Sequence, residues 1–301
     1  MPTRQAPTSP RTAQTRRSTS SRRAAQASRV AQRRRPRMSR LLAWLLSALL
    51  GSLGMAHAQV GVNTLPMGGR VVVGSGQVQQ GSNRLVITQS TPRLGMDWQS
   101  FNIGSGALVE FIQPGADAVA LNRVLGNSGS EIYGRLRANG QVFLVNPNGI
   151  LFAPGAKVDV GGLVASTLDL SQQDFAEGRY TFSAGTAMGR SGSVVNQGEL
   201  RANAGGYLAL FGSQVDNQGT VQVDRGSVVL ASGRAATVSI SGSGLISAVV
   251  NAGDTGSVSN SGSLLADGGV VTMTAQSAEG VARSLVNNSG IVRANTLVER
   301  N

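Results

Sequence analysis

Side chains suited to covalent or acid–base chemistry are few in this 301-residue chain, and their spacing does not gather them. There is no Cys, and the only His, His57, falls in an N-terminal leader. The body of the chain therefore lacks a Cys or His nucleophile or base, the usual kind of zinc site and a disulfide framework. Its carboxylates, among them Asp97, Glu110, Asp117, Glu131, Asp159, Asp169, Asp174, Asp216 and Asp224, are scattered. Polysaccharide cleavage needs paired carboxylates or a local acid–base cluster. Nothing in the spacing demands one, so these acids read as solvated charge. A secreted β-helix enzyme that degrades polysaccharide stands as the alternative, marked by three acids within ~6 Å of one another. No Walker-type phosphate loop or calcium-binding nonapeptide is present. No metal, cofactor or small-molecule substrate is expected. Trp98, Phe101, Tyr133, Tyr180 and Tyr207 fit core or cap positions better than a glycan-binding face. The most distinctive polar cluster is Asn146-Pro147-Asn148-Gly149. Its residue types make a tight turn: Pro147 presets φ, the Asn146 side chain can accept a following backbone N–H, and Gly149 closes the corner.

The elements around that turn read as strands. Val142–Val145 precede it and Ile150–Phe152 follow. Val-rich alternation cut by Gly or Asn recurs from Gly69 onwards, which signals many short strands. Helical turns are expected only over Ala116–Val124 and Leu170–Glu177. The C-terminal third repeats Asn-x-Gly-x-Leu/Val-x-Ala/Val, with copies starting at Asn196, Asn217, Gly242, Asn260 and Asn288. A second strand follows at Gly206–Leu210, Gly226–Leu230 and Gly269–Met273. A third, at Gln214-Val215, Thr237-Val238 and Leu285-Val286, precedes the next copy. Three short strands per period make one coil of a parallel β-helix, with Gly and Asn at corners for their left-handed backbone and alternate residues inside. An antiparallel sandwich is the less favoured rival.

The formal charge of +12 is confined to the leader. Residues 1–40 carry 12 arginines and no acid, and the remaining 15 basic side chains are matched by 15 acidic ones after residue 58. No nucleic-acid partner is expected of a neutral body. Residues 41–53 are apolar but too short to span a bilayer, and Ala56-His57-Ala58 follows. Together these parts form a secretory signal peptide over 1–58, cleaved between Ala58 and Gln59. Either the Arg-rich start is an extended n-region or Met38 is the true first residue. Twin arginines lie too far from the apolar run to favour that export route over Sec.

Four ordered motifs carry a family resemblance. They are Gly95-Met96-Asp97-Trp98-Gln99-Ser100-Phe101-Asn102-Ile103-Gly104, then Leu121-Asn122-Arg123-Val124, then Ile132-Tyr133-Gly134-Arg135-Leu136, and above all Val145-Asn146-Pro147-Asn148-Gly149-Ile150. With the opening Leu65–Val71, they resemble the two-partner secretion domain of filamentous-haemagglutinin-type exoproteins, also called the haemagglutination activity domain. The upstream Asn-Pro-Asn-Leu motif of many members is absent; the region reads Gly126-Asn127-Ser128-Gly129-Ser130. The resemblance implies an all-β, right-handed parallel β-helix with an N-terminal cap and short β-hairpin extensions. The expected division is a cap over 59–95, motif-bearing coils over 96–190 and repeat coils over 191–301. It implies a non-catalytic secretion domain of a surface or secreted adhesin-type exoprotein from a Gram-negative bacterium. Such a chain is exported by Sec through the periplasm. An outer-membrane β-barrel transporter with POTRA domains then recognises it, and it folds outside the cell. Partners implied are that transporter and a host-cell or neighbouring-cell surface. The motif residues Asn122, Arg123 and Asn146–Ile150 are the implied secretion or structural positions. An autotransporter passenger would need a C-terminal barrel. The last repeat, Asn288–Ala294, shows no polar cap, which is the expectation for a fragment or for an end protected by association.

Overall fold

In the computed structural model, the described residues are 60–184, 192–240, 246–251, 256–275 and 286–295. The signal segment, its Ala58–Gln59 junction and the 190/191 boundary lie outside them. Short strands wind into a right-handed parallel β-helix, the hand that parallel crossovers take. Each coil contributes to three faces. Face A stacks Arg93–Trp98, Val119–Val124, Gln141–Val145, the second half of Lys157–Ser166, the second half of Glu199–Gly212, Ser227–Ser232 and Val270–Ala275. Face B stacks Arg84–Gln89, Leu108–Ile112, Arg135–Ala138, the first halves of those two long strands, Thr220–Val223, Ser263–Leu265 and Ile291–Arg293. Face C stacks Ser130–Ile132, Ile150–Phe152, Ser193–Asn196, Gln214–Asn217, Ser257–Asn260 and Val286–Asn288.

The N-terminal end is closed by antiparallel strands. Arg70–Val73 pairs with Arg93–Trp98, and Gly76–Gln80 pairs with Arg84–Gln89. The preceding segment tucks against the first coil, with Gly104 N donating to Thr64 O at 2.9 Å, and buries Leu65. Pairing the first coil in this way satisfies backbone groups that would otherwise form a sticky sheet edge.

Two apolar cores result. One fills the helix interior with inward residues such as Leu94, Val142, Leu144, Leu163, Leu208, Val228 and Leu230. The other lies outside face A: Leu121, Phe143, Val145, Val164, Tyr207, Phe211 and Val229 point outward, yet are buried. They are covered by an antiparallel sheet of Asp169–Leu170, Tyr180–Ser183, Ala235–Ile240 and Ile246–Asn251. The helix α1, Gln172–Ala176, adds Phe175 to this second core and is N-capped by Ser171, whose Oγ accepts from Asp174 N at 3.0 Å. Strands such as Gln-Val-Phe-Leu-Val are apolar on both sides because both sides are covered.

Three expectations from the sequence are corrected. Ala116–Val124 is no helical turn; Val119–Val124 is a face A strand whose alternate residues serve the two cores. Of the copy at Gly242, residues 242–245 lie outside the described residues, and the remainder is no coil strand. Thr237-Val238 and the following strand Ile246–Asn251 belong to the covering hairpin, and the coil ladder runs directly from Asn217 to Asn260. That segment alternates in sequence like a coil strand, but its described backbone pairs antiparallel in the covering sheet. The corner Asn residues do not adopt left-handed backbone, since Arg225 alone among described non-glycines has positive φ. Glycines do supply positive φ at some repeat corners, Gly205 and Gly268 among them, whereas Gly198, Gly219, Gly262 and Gly290 of the repeat motif are there for contact. A Cβ at Gly219 would come within 2.2 Å of Gly198 O in the coil before it, so only hydrogen fits.

Candidate functional site

The Asn146 corner joins face A to face C. Gly149 N donates to Asn146 O at 3.0 Å, closing a four-residue turn with Pro147 and Asn148 at its centre. Asn148 keeps negative φ, which gives the turn type I character, while Gly149 has φ +118°. Asn146 is fully buried. Its Oδ1 accepts from the backbone N and from Nδ2 of Asn148, both at 3.0 Å. Its own Nδ2 donates to Ser128 O at 3.0 Å and Ser130 Oγ at 2.9 Å. Asn148 Nδ2 also donates to Gly126 O at 2.8 Å. Ile150 then starts the face C strand between Ser130 and Val194. Gly126–Ser130, which stands in place of the absent upstream motif, is therefore the loop that Asn146 and Asn148 hold. Their amides hold the preceding coil's corner in place, the use that buried amides suit best.

Asn122 and Arg123 sit one coil earlier on face A and point opposite ways. Asn122 is buried in the helix interior, where its Oδ1 accepts the indole N–H of Trp98 at 3.0 Å. Trp98 in turn packs edge-on against Phe101, ring centroids 5.5 Å apart. Arg123 points outward, its Nε 3.0 Å from Asp97 Oδ1. The pair is closed over by the covering elements: Gln172 Nε2 donates to Asp97 Oδ2 and Arg123 donates to Leu170 O. The structure thus brings Asn122 with Trp98, Arg123 with Asp97, and Asn146 with Asn148, as three separate arrangements.

Sequence reasoning missed two polar ladders. At the turn from face B to face A, Gln113 Nε2 donates to Gln89 Oε1, Ala118 O and Gln141 O, and Gln141 Oε1 accepts from the buried Tyr207 hydroxyl. At the turn from face C to face B, the repeat asparagines chain together: Nδ2 of Asn196, Asn217 and Asn260 donates to Oδ1 of Asn217, Asn260 and Asn288 in turn, each at 2.7 Å. The repeat itself was the available signal for the second ladder; nothing in the spacing marks the first. Burial in the second core, and less strongly the nearby Tyr180, push the Tyr207 phenol well above its ordinary pKa.

The acids do not converge. Asp97 faces Arg123, Glu110 faces Arg84, Asp174 faces Arg179, and Asp216 accepts from Gln218. Among the described residues, no three or more acidic, Cys or His side chains form a metal-binding group. Of the five aromatics considered, Trp98, Phe101 and Tyr207 are buried, Tyr180 packs against Phe143 and Phe175, and Tyr133 is half-buried. No helix among the described residues is long and apolar enough to cross a membrane.

A coil stack closed at its first end, with its buried polar groups spent on corners, defines a scaffold-type β-helix domain. The chain belongs to the family described as the TPS secretion domain, whose model matches residues 63–301. Two curated relatives, both named heme/hemopexin-binding protein and both from Haemophilus influenzae, are similar to it. One is 37% identical over 217 residues, covering 70% of this chain and 24% of the relative. The other is 32% identical over 241 residues, covering 73% and 25%. The chain spans about a quarter of the length of these relatives. The crystal structure of the HMW1 secretion domain from the same species superposes with a TM-score of 0.68 at 29% identity, over 77% of this chain and 60% of that one. The chain thus carries the secretion domain of a two-partner exoprotein.

Proposed function

We propose that this chain is exported by Sec, loses its signal peptide between Ala58 and Gln59, and crosses the periplasm unfolded. It is then recognised by a dedicated outer-membrane barrel transporter through POTRA domains. It folds outside the cell, where the exoprotein serves at a host-cell or neighbouring-cell surface. The domain works as an export and folding module and performs no catalysis. The observation that carries the reading is the direction of the stack. The first coil is sealed by its own antiparallel strands, and each later coil pairs in parallel with the one before it. A chain emerging N-terminus first can therefore add coils onto a finished end, as nearest-neighbour stacks allow. The division into a cap over 59–95, motif-bearing coils over 96–190 and repeat coils over 191–301 belongs to the same reading.

Haem or haemopexin binding, suggested by the names of the two relatives, is better placed in the rest of such an exoprotein. Residues 59–301 contain neither His nor Cys, the commonest protein ligands to haem iron. The test is to express the full chain with and without its transporter and assay the medium for protease-resistant domain. Secretion is expected only with the transporter, and it should fall when Asn146 and Asn148 are both changed to Ala. Equal secretion without the transporter would overturn the reading.

A further inference from the structure

The chain contains two Asn-Gly steps, Asn139-Gly140 and Asn148-Gly149. Such steps are prone to deamidation because glycine leaves its preceding amide nitrogen unhindered. The glycine N attacks the Asn Cγ, the Cγ–Nδ2 bond breaks with loss of ammonia, and a cyclic imide forms. Water then opens the imide to aspartate or isoaspartate. In this fold both steps are tied down. Gly149 N donates to Asn146 O, and Asn148 Nδ2 is held by Gly126 O, Asn146 Oδ1 and, more weakly at 3.5 Å, Ser128 O. Gly140 N donates to Gln113 Oε1, and the Asn139 amide pairs with both the N–H and the carbonyl of Gln113. Ring closure at either site needs these bonds broken, so it waits on local opening.

We infer that Asn148 is a deamidation site open only in the unfolded chain, and that its modification blocks rebuilding of the corner. The consequences at the two sites differ. A carboxylate at 148 would face three oxygens, Gly126 O, Asn146 Oδ1 and Ser128 O, with no donor to it among the described residues. One at 139 would face a single carbonyl and still accept from Gln113 N. Oxygen lone pairs opposed at hydrogen-bond distance in a part-buried site are costly. Time spent unfolded is thereby recorded chemically at a corner that clamps successive coils, so an aged chain is lost to folding. The link to export rests on the reading that the chain crosses the periplasm unfolded; the chemistry does not.

The test needs no transporter. The full chain is held at mildly alkaline pH, either folded or in denaturant, and peptide masses are followed at both sites. Denaturant is then diluted away and refolding is scored by protease resistance. Both sites should deamidate in denaturant and be protected several-fold in the folded chain. Unrefolded material should be enriched in modified 148 over modified 139. The variants Asn148→Asp and Asn139→Asp should reproduce that order, with Asn148→Asp refolding less well. Equal deamidation of Asn148 in folded and unfolded chain, or refolding of Asn148→Asp as complete as that of Asn139→Asp, would overturn the inference.

Discussion

At the scale of single residues, the family motifs resolve into side chains that face in opposite directions with separate tasks. Leu121 and Arg123 serve the outside of face A, and Asn122 and Val124 serve its inside. Asn122 is the more exacting position because its Oδ1 is the acceptor for a buried indole N–H. Changing Asn122 to Leu leaves that donor without a partner, at an expected cost of ~1–3 kcal/mol. Trp98→Phe removes the donor itself. The pair should therefore couple: the double variant should lose less stability in urea than the two single losses combined, by a margin in the range of about 0.5–3 kcal/mol. Strict additivity would show that the indole finds another partner. The turn chemistry of Asn146–Gly149 was legible from residue types alone. What the amides of Asn146 and Asn148 hold was not, because their acceptors at Gly126 and Ser128 lie about one coil back in sequence.

At the scale of elements, the coil repeat was legible because one residue type returns at one corner. Asn196, Asn217, Asn260 and Asn288 register on one another across face C. The intervening copy at Gly242 misled because its sequence, which runs into a strand of the covering sheet, alternates as a coil strand does. Nor did alternation alone show that face A is buried on both sides, although its strands are near-continuous apolar runs, the pattern of a sheet covered twice. The asparagine ladder gives this scale its prediction. Asn217 donates to Asn260 and accepts from Asn196, all three fully buried. Asn217→Leu breaks both links and leaves one orphaned amide donor and one orphaned acceptor. The expected loss is roughly 2–4 kcal/mol in equilibrium denaturation, as for two buried groups left unsatisfied. A loss below about 0.5 kcal/mol, the size of an ordinary surface substitution, would mean the ladder is incidental to stability.

At the scale of the molecule, the covering sheet changes what kind of stack this is. Coils that touch only their neighbours unfold as a nearly one-dimensional series. Here, however, Gln172 and Leu170 reach back to Asp97 and Arg123 in the first coils, and Tyr180–Ser183 pairs forward with Ala235–Ile240. The second core joins Val119 and Phe143 to Ala231 and Val238 under one cover. Early and late coils should therefore unfold together. Trp98 is the only Trp after the leader, so its fluorescence reports the first coils alone. Ala236 is buried in the cover. Ala236→Asp places an unpaired carboxylate in an apolar core, a change costing several kcal/mol or forcing the sheet open. In a nearest-neighbour stack the Trp98 transition would stay where it is while circular dichroism shifts. In a covered stack both midpoints fall together. A chain ending after Ser232 gives the complementary test, since it keeps every coil strand up to that point and lacks the partner of Tyr180–Ser183. It should bind a hydrophobic dye and be cut by protease between Thr167 and Ala184, whereas a chain ending after Ala275 should do neither. An unmoved Trp98 transition in Ala236→Asp, or a dye-silent chain ending at Ser232, would return the domain to a simple stack.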